Sequence, residues 1–494
     1  MQQRHWMMFL TGFYILAAMY LARELLTGSG FGSMMKVMLI LTPVLLSVLI
    51  KLRPYWPALL FASTLSKEAF SVPLLDIFTY GFFVAIAICT FFLMELAILK
   101  RQTVARSALL KSFVLLFLVL VLRLIIEHPG SARLGTSGGL GQAIYYTLAP
   151  LLGYISAQIF AAGDWDIRKN LRAILFIAIA VLGYATALNM MQGMPFSSWA
   201  CFNYNFPYWA LIGALLAWSN VRTRLHGGHV QVMLVTALVI VLSLLSRFRM
   251  VTLMSVIAML VLAIAYRRSA KHLLYPFLLA GVALLILNVM PLHKLPFSMY
   301  RAASLVIHID PTQLPPEQAQ YAGEFGWQST FRERLYQVAM VRMTAHPLWG
   351  EGWTFSFEDI VVAVTSMLGP NDPGAGGLIF SGNYHNLLLT FAIKLGLPVA
   401  LWVTLCLLLP VVFFLRKFRR PADSPAEQIF KGMLLFFTLI YLGFSLTNGA
   451  GQETVVLFTL GGMMLGLILR ESKAEADVIN TPKKDVPRAL MSNL

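Results

Sequence analysis

Charge is scarce in this chain, and so is cysteine. Asp, Glu, Lys and Arg make up 12% of the 494 residues, about half the share in an average soluble domain, which is about 25%. The three cysteines are scattered: Cys89 and Cys406 lie inside apolar runs, and Cys201 lies in a short connector. That scatter excludes a disulfide framework, and no metal-ligand spacing accompanies it. The Gly-rich stretch Gly369-Pro370-Asn371-Asp372-Pro373-Gly374-Ala375-Gly376-Gly377 lacks the terminal Lys-Ser/Thr and the preceding strand of a phosphate-binding loop, and reads as a flap or linker. No nucleic-acid-binding motif explains the net charge of +16.

Apolar residues are what the chain has in abundance: 58% of the sequence, with a mean hydropathy of +0.74. Runs near the length of a bilayer crossing recur from end to end, so the fold class expected is all-α, a polytopic membrane protein. About fourteen spans are read, near 6–22, 35–51, 57–67, 75–97, 108–127, 141–161, 172–190, 207–219, 229–246, 250–266, 273–290, 386–415, 431–448 and 453–470. The first has no convincing cleavage site and reads as a retained helix. Segment 57–67 is too short to cross straight and reads either as a span or as re-entrant.

Lys and Arg accumulate in alternate loops, at Lys51–Arg53, Lys100–Arg106, Arg168–Arg172, Arg222–Arg224, Arg267–Lys271 and Arg416–Arg420, and after Arg470. The positive-inside rule makes these cytoplasmic, with both termini inside. The expected organisation is an N-terminal bundle of about eleven spans over 1–290, a periplasmic loop over 291–384, about three spans over 385–470 and a polar, disordered cytoplasmic tail over 471–494.

The residues that break the apolar pattern gather on the expected outer side. Arg247 and Arg249 stand two apart in a short outer turn. They read either as snorkelling cations or as a docking point for a phosphorylated substrate, which the planar guanidinium suits. Arg123 and Glu127 are one helical turn apart and read chiefly as a mutual pair. Within the long loop, Thr330-Phe331-Arg332-Glu333 has the capping-box pattern. Phe331, Leu335 and Val338 then recur at helical spacing, and Pro347 ends the helix. Arg332, Arg334 and Arg342 ride on it, facing lipid headgroups or an anionic substrate. A tight turn, Pro347-Leu348-Trp349-Gly350-Glu351-Gly352, follows. His385, with Tyr384 and Asn386 beside it, opens the next span, as an interfacial residue, a general base or a diphosphate contact. Lys394, inside that span, reads equally as snorkelling, paired or catalytic.

Three pieces occur in order: Ser246-Arg247; Arg332-x-x-x-Tyr336 with Pro347-x-x-Gly350-x-Gly352 starting eleven residues after the Tyr; and His385-Asn386 separated by nine residues from Gly396. This resembles the O-antigen ligase and O-antigen polymerase superfamily, whose pattern is a Ser-Arg turn, Arg-x-x-x-Trp with Pro-x-x-Gly-x-Gly, and His-Asn-x9-Gly. The diagnostic part covers about 240 to 400. Tyr336 replaces the usual Trp, Lys394 stands where an acidic residue is common, and Leu397-Pro398-Val399 follows Gly396 where a small or hydroxyl residue is typical.

The resemblance implies a glycosyltransferase-C-like membrane fold in the bacterial inner membrane, acting at the periplasmic face in lipopolysaccharide biosynthesis. It implies an undecaprenyl-diphosphate-linked glycan as donor, and lipid A-core (ligase) or a growing polysaccharide (polymerase) as acceptor. Transfer would be inverting, with no metal and no cofactor. Arg247, Arg332 and His385 would be catalytic. Arg249, Arg334, Tyr336, Tyr384 and Asn386 would bind the diphosphate or glycan. Asp164-Trp165-Asp166, the one Asp-x-Asp, falls on the expected cytoplasmic side. Ligase is the leading expectation and polymerase the alternative. A flippase for lipid-linked oligosaccharide would need mid-span charges and paired repeats, and a non-enzymatic scaffold would leave the Arg and His positions unexplained.

Overall fold

The computed structural model describes residues 48–65, 80–99, 107–127, 139–162, 165–191, 206–226, 230–245, 249–266, 278, 281–282, 335–353, 386–418, 424–448 and 451–480. Every regular element among them is helical. After a helix end at 48–51 and a 3-10 turn at Arg53–Tyr55 come α1 (Trp56–Leu65), α2 (Tyr80–Leu99), α3 (Ala108–Glu127), α4 (Gly139–Ala161) and α5 (Ile167–Met191). Next are α6 (Phe206–His226), α7 (Val230–Leu245) and α8 (Arg249–Ala265). The loop helix α9 covers 335–345. Then follow α10 (Leu387–Leu395), α11 (Leu397–Phe418), α12 (Pro425–Asn448) and α13 (Gly451–Asn480). Five described helices, α3, α4, α11, α12 and α13, are long and apolar enough to cross a membrane. The chain is thus a multi-spanning helical membrane protein.

The C-terminal helices form the centre. In α12, 83% of the spanning window is buried inside the protein, against 22% in α3. On α3, Leu110, Phe113, Leu116 and Leu120 turn inward, while Leu115, Leu118, Leu122 and Ile125 face outward. This outward stripe is suited to lipid.

Between helices in lipid the hydrophobic effect gives little drive, so close backbone approach matters. Small residues permit it where α4 and α13 run parallel. A Cβ on Gly153 would stand 2.7 Å from the Phe458 carbonyl oxygen, one on Gly462 would overlap the Gly153 carbonyl, and one on Gly466 would overlap Phe160 and the Ala157 carbonyl. Overpacking of this kind costs about 1–3 kcal/mol, occasionally more. Gly462→Val is therefore expected to lower the detergent melting temperature markedly and to reduce folded yield. An unchanged melting curve would contradict the close crossing.

Contacts sort the helix ends. Arg53 pairs with Glu95 at 3.1 Å, Tyr266 donates to the Gln428 carbonyl at 2.7 Å, Lys417 donates to Ser472 Oγ at 2.6 Å, and Lys431 pairs with Glu471. These residues border the Lys- and Arg-rich loops, and they share one end of the bundle, as the charge alternation expects. At this end Trp165 packs edge-on to Phe160 at 5.1 Å and lies under Arg470 at 4.7 Å. The carboxylate of Asp166 accepts from the Arg168 and Lys169 amides. These hydrogen bonds hold it below the usual carboxylate range and occupy one acid of the Asp-x-Asp in capping α5.

One segment differs from the reading of the sequence alone, and a second agrees with it in being too short to cross straight. The segment taken as one span over 386–415 is two helices, α10 and α11, broken at Gly396. The short segment near 57–67 forms α1, of 10 residues, or about 15 Å of helix, half a bilayer core. It starts at the basic end, where the Ala58 amide donates to Asn170 Oδ1 at 3.0 Å. Its last described turn lies inside the bundle, where Tyr441 Oη donates to the Thr64 carbonyl at 3.1 Å.

Candidate functional site

At the opposite end of the bundle, α10 is set by its two caps. Asn386 has extended backbone angles and its side-chain oxygen accepts from the Leu389 amide at 3.1 Å, satisfying one of the donors a helix start leaves open. Gly396 closes the helix with φ 87° and ψ 161°, a combination essentially confined to glycine. The nine-residue spacer of His-Asn-x9-Gly is therefore one short helix with both caps. Asn386→Ala is expected to cost about 1 kcal/mol, read as a modest fall in melting temperature; no fall would remove the capping role.

The turn after α9 docks on the far end of α10. The Glu351 amide donates to the Ile393 carbonyl at 2.7 Å, Gly352 to Lys394 at 2.9 Å, and Leu397 to Pro347 at 2.8 Å. Gly350 and Gly352 have φ of 68° and 86°. A side chain on Gly350 would overlap the Lys394 carbonyl group, and one on Gly396 would overlap that of Leu348. Pro-x-x-Gly-x-Gly and His-Asn-x9-Gly are the two halves of one backbone contact, and their glycines are the points of closest approach.

A half-buried ion pair fastens this contact to α3. Glu127 Oε1 accepts from Arg123 Nε at 2.6 Å, and Glu127 Oε2 accepts from the Trp353 amide at 2.6 Å. Arg123 also donates to the carbonyls of Trp349 and, at 3.3 Å, Leu395. A Cβ on Gly352 would stand 2.7 Å from Glu127 Oε2, so this glycine makes room for the carboxylate. The sequence spacing identified the pair. The two segments it ties to α3 lie 226 and 272 residues from Arg123, beyond what local spacing reveals.

A second charged group lies between α9 and α10. Leu335, Val338 and Ala339 are buried, and Arg342 follows on the same helical face, also buried. Its guanidinium is 3.3 Å from Glu351 Oε2. Lys394 is fully buried, interacts electrostatically with Glu351 and Arg342, and has its ammonium 5.5 Å from the Trp353 ring centroid. Trp353 stacks on Tyr146 of α4 at 5.4 Å, and Tyr146 leans on Phe391 at 4.7 Å. Glu453, at the start of α13, is buried and its charge reaches Tyr146. The hydroxyl of Tyr146 and the indole nitrogen of Trp353 have no hydrogen-bond partner among the described residues.

Of the residues singled out in the sequence, Asn386 caps α10, Tyr336 is half-buried on α9, and Arg249 is the first residue of α8. Arg247, Arg332, Arg334, Tyr384 and His385 lie outside the described residues, as does the start of the loop helix at Thr330. The expected end of that helix before Pro347 and the burial of Leu335 and Val338 agree with the structure. Glu351, Trp353 and Tyr146 were not singled out for a role. A usable signal did exist for Arg342, a charge seven residues after Leu335 on an apolar stripe. A pocket lined by Arg53, Trp56, Phe92, Ile159 and Trp165 lies at the other, basic end, away from these motifs.

Residues 232–402 match the family described as O-antigen ligase, a stretch that runs from α7 into α11 and contains all three sequence motifs. No curated protein matches the chain.

Proposed function

Taking as premise that the chain, through residues 232–402, belongs to the O-antigen ligase and polymerase superfamily, we propose that it is a ligase. It moves a glycan from undecaprenyl diphosphate to a hydroxyl of lipid A-core at the periplasmic face of the inner membrane. Membership carries the coarser statement, a membrane protein with ligase- or polymerase-type glycosyl transfer. The docking of the Pro347–Gly352 turn on α10, which ties the Arg332 motif to the His385 motif, supports transfer at a site built from both, and the His385-Asn386-x9-Gly396 match favours ligase over polymerase.

In this reading the acceptor oxygen attacks the anomeric carbon from the face opposite the diphosphate. His385 takes the hydroxyl proton, and the sugar–oxygen bond breaks with its electron pair going to the diphosphate. Inversion follows from the single displacement. Arg247 and Arg332 stabilise the charge that develops on the leaving group, and Arg249 and Arg334 reinforce them. Preorganised cations at a developing anion lower the barrier without a metal. Tyr336, Tyr384 and Asn386 border the same groups in sequence and support substrate placement.

The surface polysaccharide of a deletion strain tests the assignment. Loss of core attachment with lipid-linked polymer accumulating is the result expected of a ligase. A core capped by a single repeat unit would assign a polymerase instead, and an unchanged profile would contradict both.

A further inference from the structure

The two candidate reacting groups each precede, in sequence, one of the two helices that meet at the docked turn, α9 and α10. Arg332 precedes Arg342 of α9 by ten residues in sequence. His385 precedes Lys394 of α10 by nine residues in sequence, with the N-cap Asn386 between it and the helix. The distal members, Arg342 and Lys394, meet around Glu351. Arg342 is 3.3 Å from its carboxylate, and the Glu351 amide is bonded to the Ile393 carbonyl, one residue before Lys394. Arg342 is 7% exposed and Lys394 0%, so both charges are out of water.

We propose that Arg342, Glu351 and Lys394 form a buried charged clamp. The clamp fixes α9, which follows Arg332 in the chain, relative to α10, which follows His385, and so positions the two motifs for glycan transfer. The inference rests on the reaction proposed above.

Stability alone does not account for such a group. Burying a guanidinium, a carboxylate and an amine together is costly in desolvation, and apolar residues of like volume often serve a fold as well or better. A charged triad differs from an apolar contact in direction. An apolar face tolerates sliding and rotation, whereas Glu351 meets Arg342 and Lys394 favourably in few arrangements. Position is the property that the reaction needs, because a misplacement of about 1 Å can cost about 100-fold in rate. All three residues are positioning residues: none is argued to touch substrate.

The test compares the natural protein with the apolar triple variant Arg342→Met/Glu351→Leu/Lys394→Met, and with Arg342→Met and Arg342→Lys. Turnover and donor KM are measured on purified protein with a polyprenyl-diphosphate glycan. Independently, spin labels at Gln337→Cys and Leu388→Cys, in a background lacking the three natural cysteines, report the α9–α10 distance distribution by pulsed EPR. The triple variant is expected to fold, to show a broadened distribution, and to lose at least tenfold in kcat with donor KM within threefold. Arg342→Lys is expected to keep a narrow distribution and most of the turnover that Arg342→Met loses.

A folded triple variant with a narrow distribution and full kcat overturns the clamp. If the triple variant fails to fold, equal behaviour of Arg342→Met and Arg342→Lys overturns it, and rescue by Lys supports it. If the natural protein transfers nothing, the proposed reaction fails while the distance measurement still decides the clamp.

Discussion

Gly396→Ala is expected to abolish the docking of the loop on α10 and, with it, most of the folded protein. Two costs add. A residue with a side chain held in this region of backbone space costs about 1–3 kcal/mol. The new methyl group also overlaps the Leu348 carbonyl, a backbone atom that cannot rotate away, and forced overpacking costs about 1–3 kcal/mol. A loss of about 3 kcal/mol or more is a large part of the total stability of an ordinary domain. Gly350→Ala should behave alike, since its methyl meets the Lys394 carbonyl group from the other side of the same contact. Thermal unfolding in detergent and limited proteolysis within 346–353 provide the check. Natural melting and natural proteolytic resistance in both variants would show that the two motifs do not interlock.

The largest effect on activity is expected from Arg332→Ala and His385→Ala. Removing one preorganised charge stabiliser typically costs about 100- to 1,000-fold in kcat, and removing a general base about 100- to 10,000-fold. Each variant is expected to unfold like the natural protein, and its melting curve in detergent is recorded beside the activity. Arg332→Lys separates two roles. If bidentate recognition of the diphosphate matters, lysine restores the charge but not the planar fork, and rescue stays partial. His385→Ala with undiminished single-turnover transfer would remove the base from the mechanism.

Fold and candidate site differ in how far the sequence reveals them. Helical class, the alternation of basic loops and the end of the loop helix before Pro347 are local properties, written in hydropathy, charge and a proline. The three motifs are local as well, so their residues stand out. What they do for one another is not local. The x9 spacer gives no hint, without coordinates, that it is one capped helix, and unbroken hydropathy from 386 to 415 hides the break at Gly396. The partners of Arg123, Glu127 and Arg342 are brought near by the tertiary fold. Glu351 looks like a polar residue in an exposed turn until the turn is seen against α10. Lys394 drew notice because it broke a pattern, which fits the view that local rules fail where function or specificity overrides them.

The central claim is metal-independent transfer from a diphosphate-linked donor, and one measurement meets it directly. Purified protein in EDTA is given a polyprenyl-diphosphate-linked glycan and lipid A-core, and glycan on the acceptor is quantified against time. Steady transfer with release of polyprenyl diphosphate, unchanged by the chelator, is the expected result. Transfer that stops in EDTA and returns on adding a divalent cation, or no transfer under either condition, would contradict it.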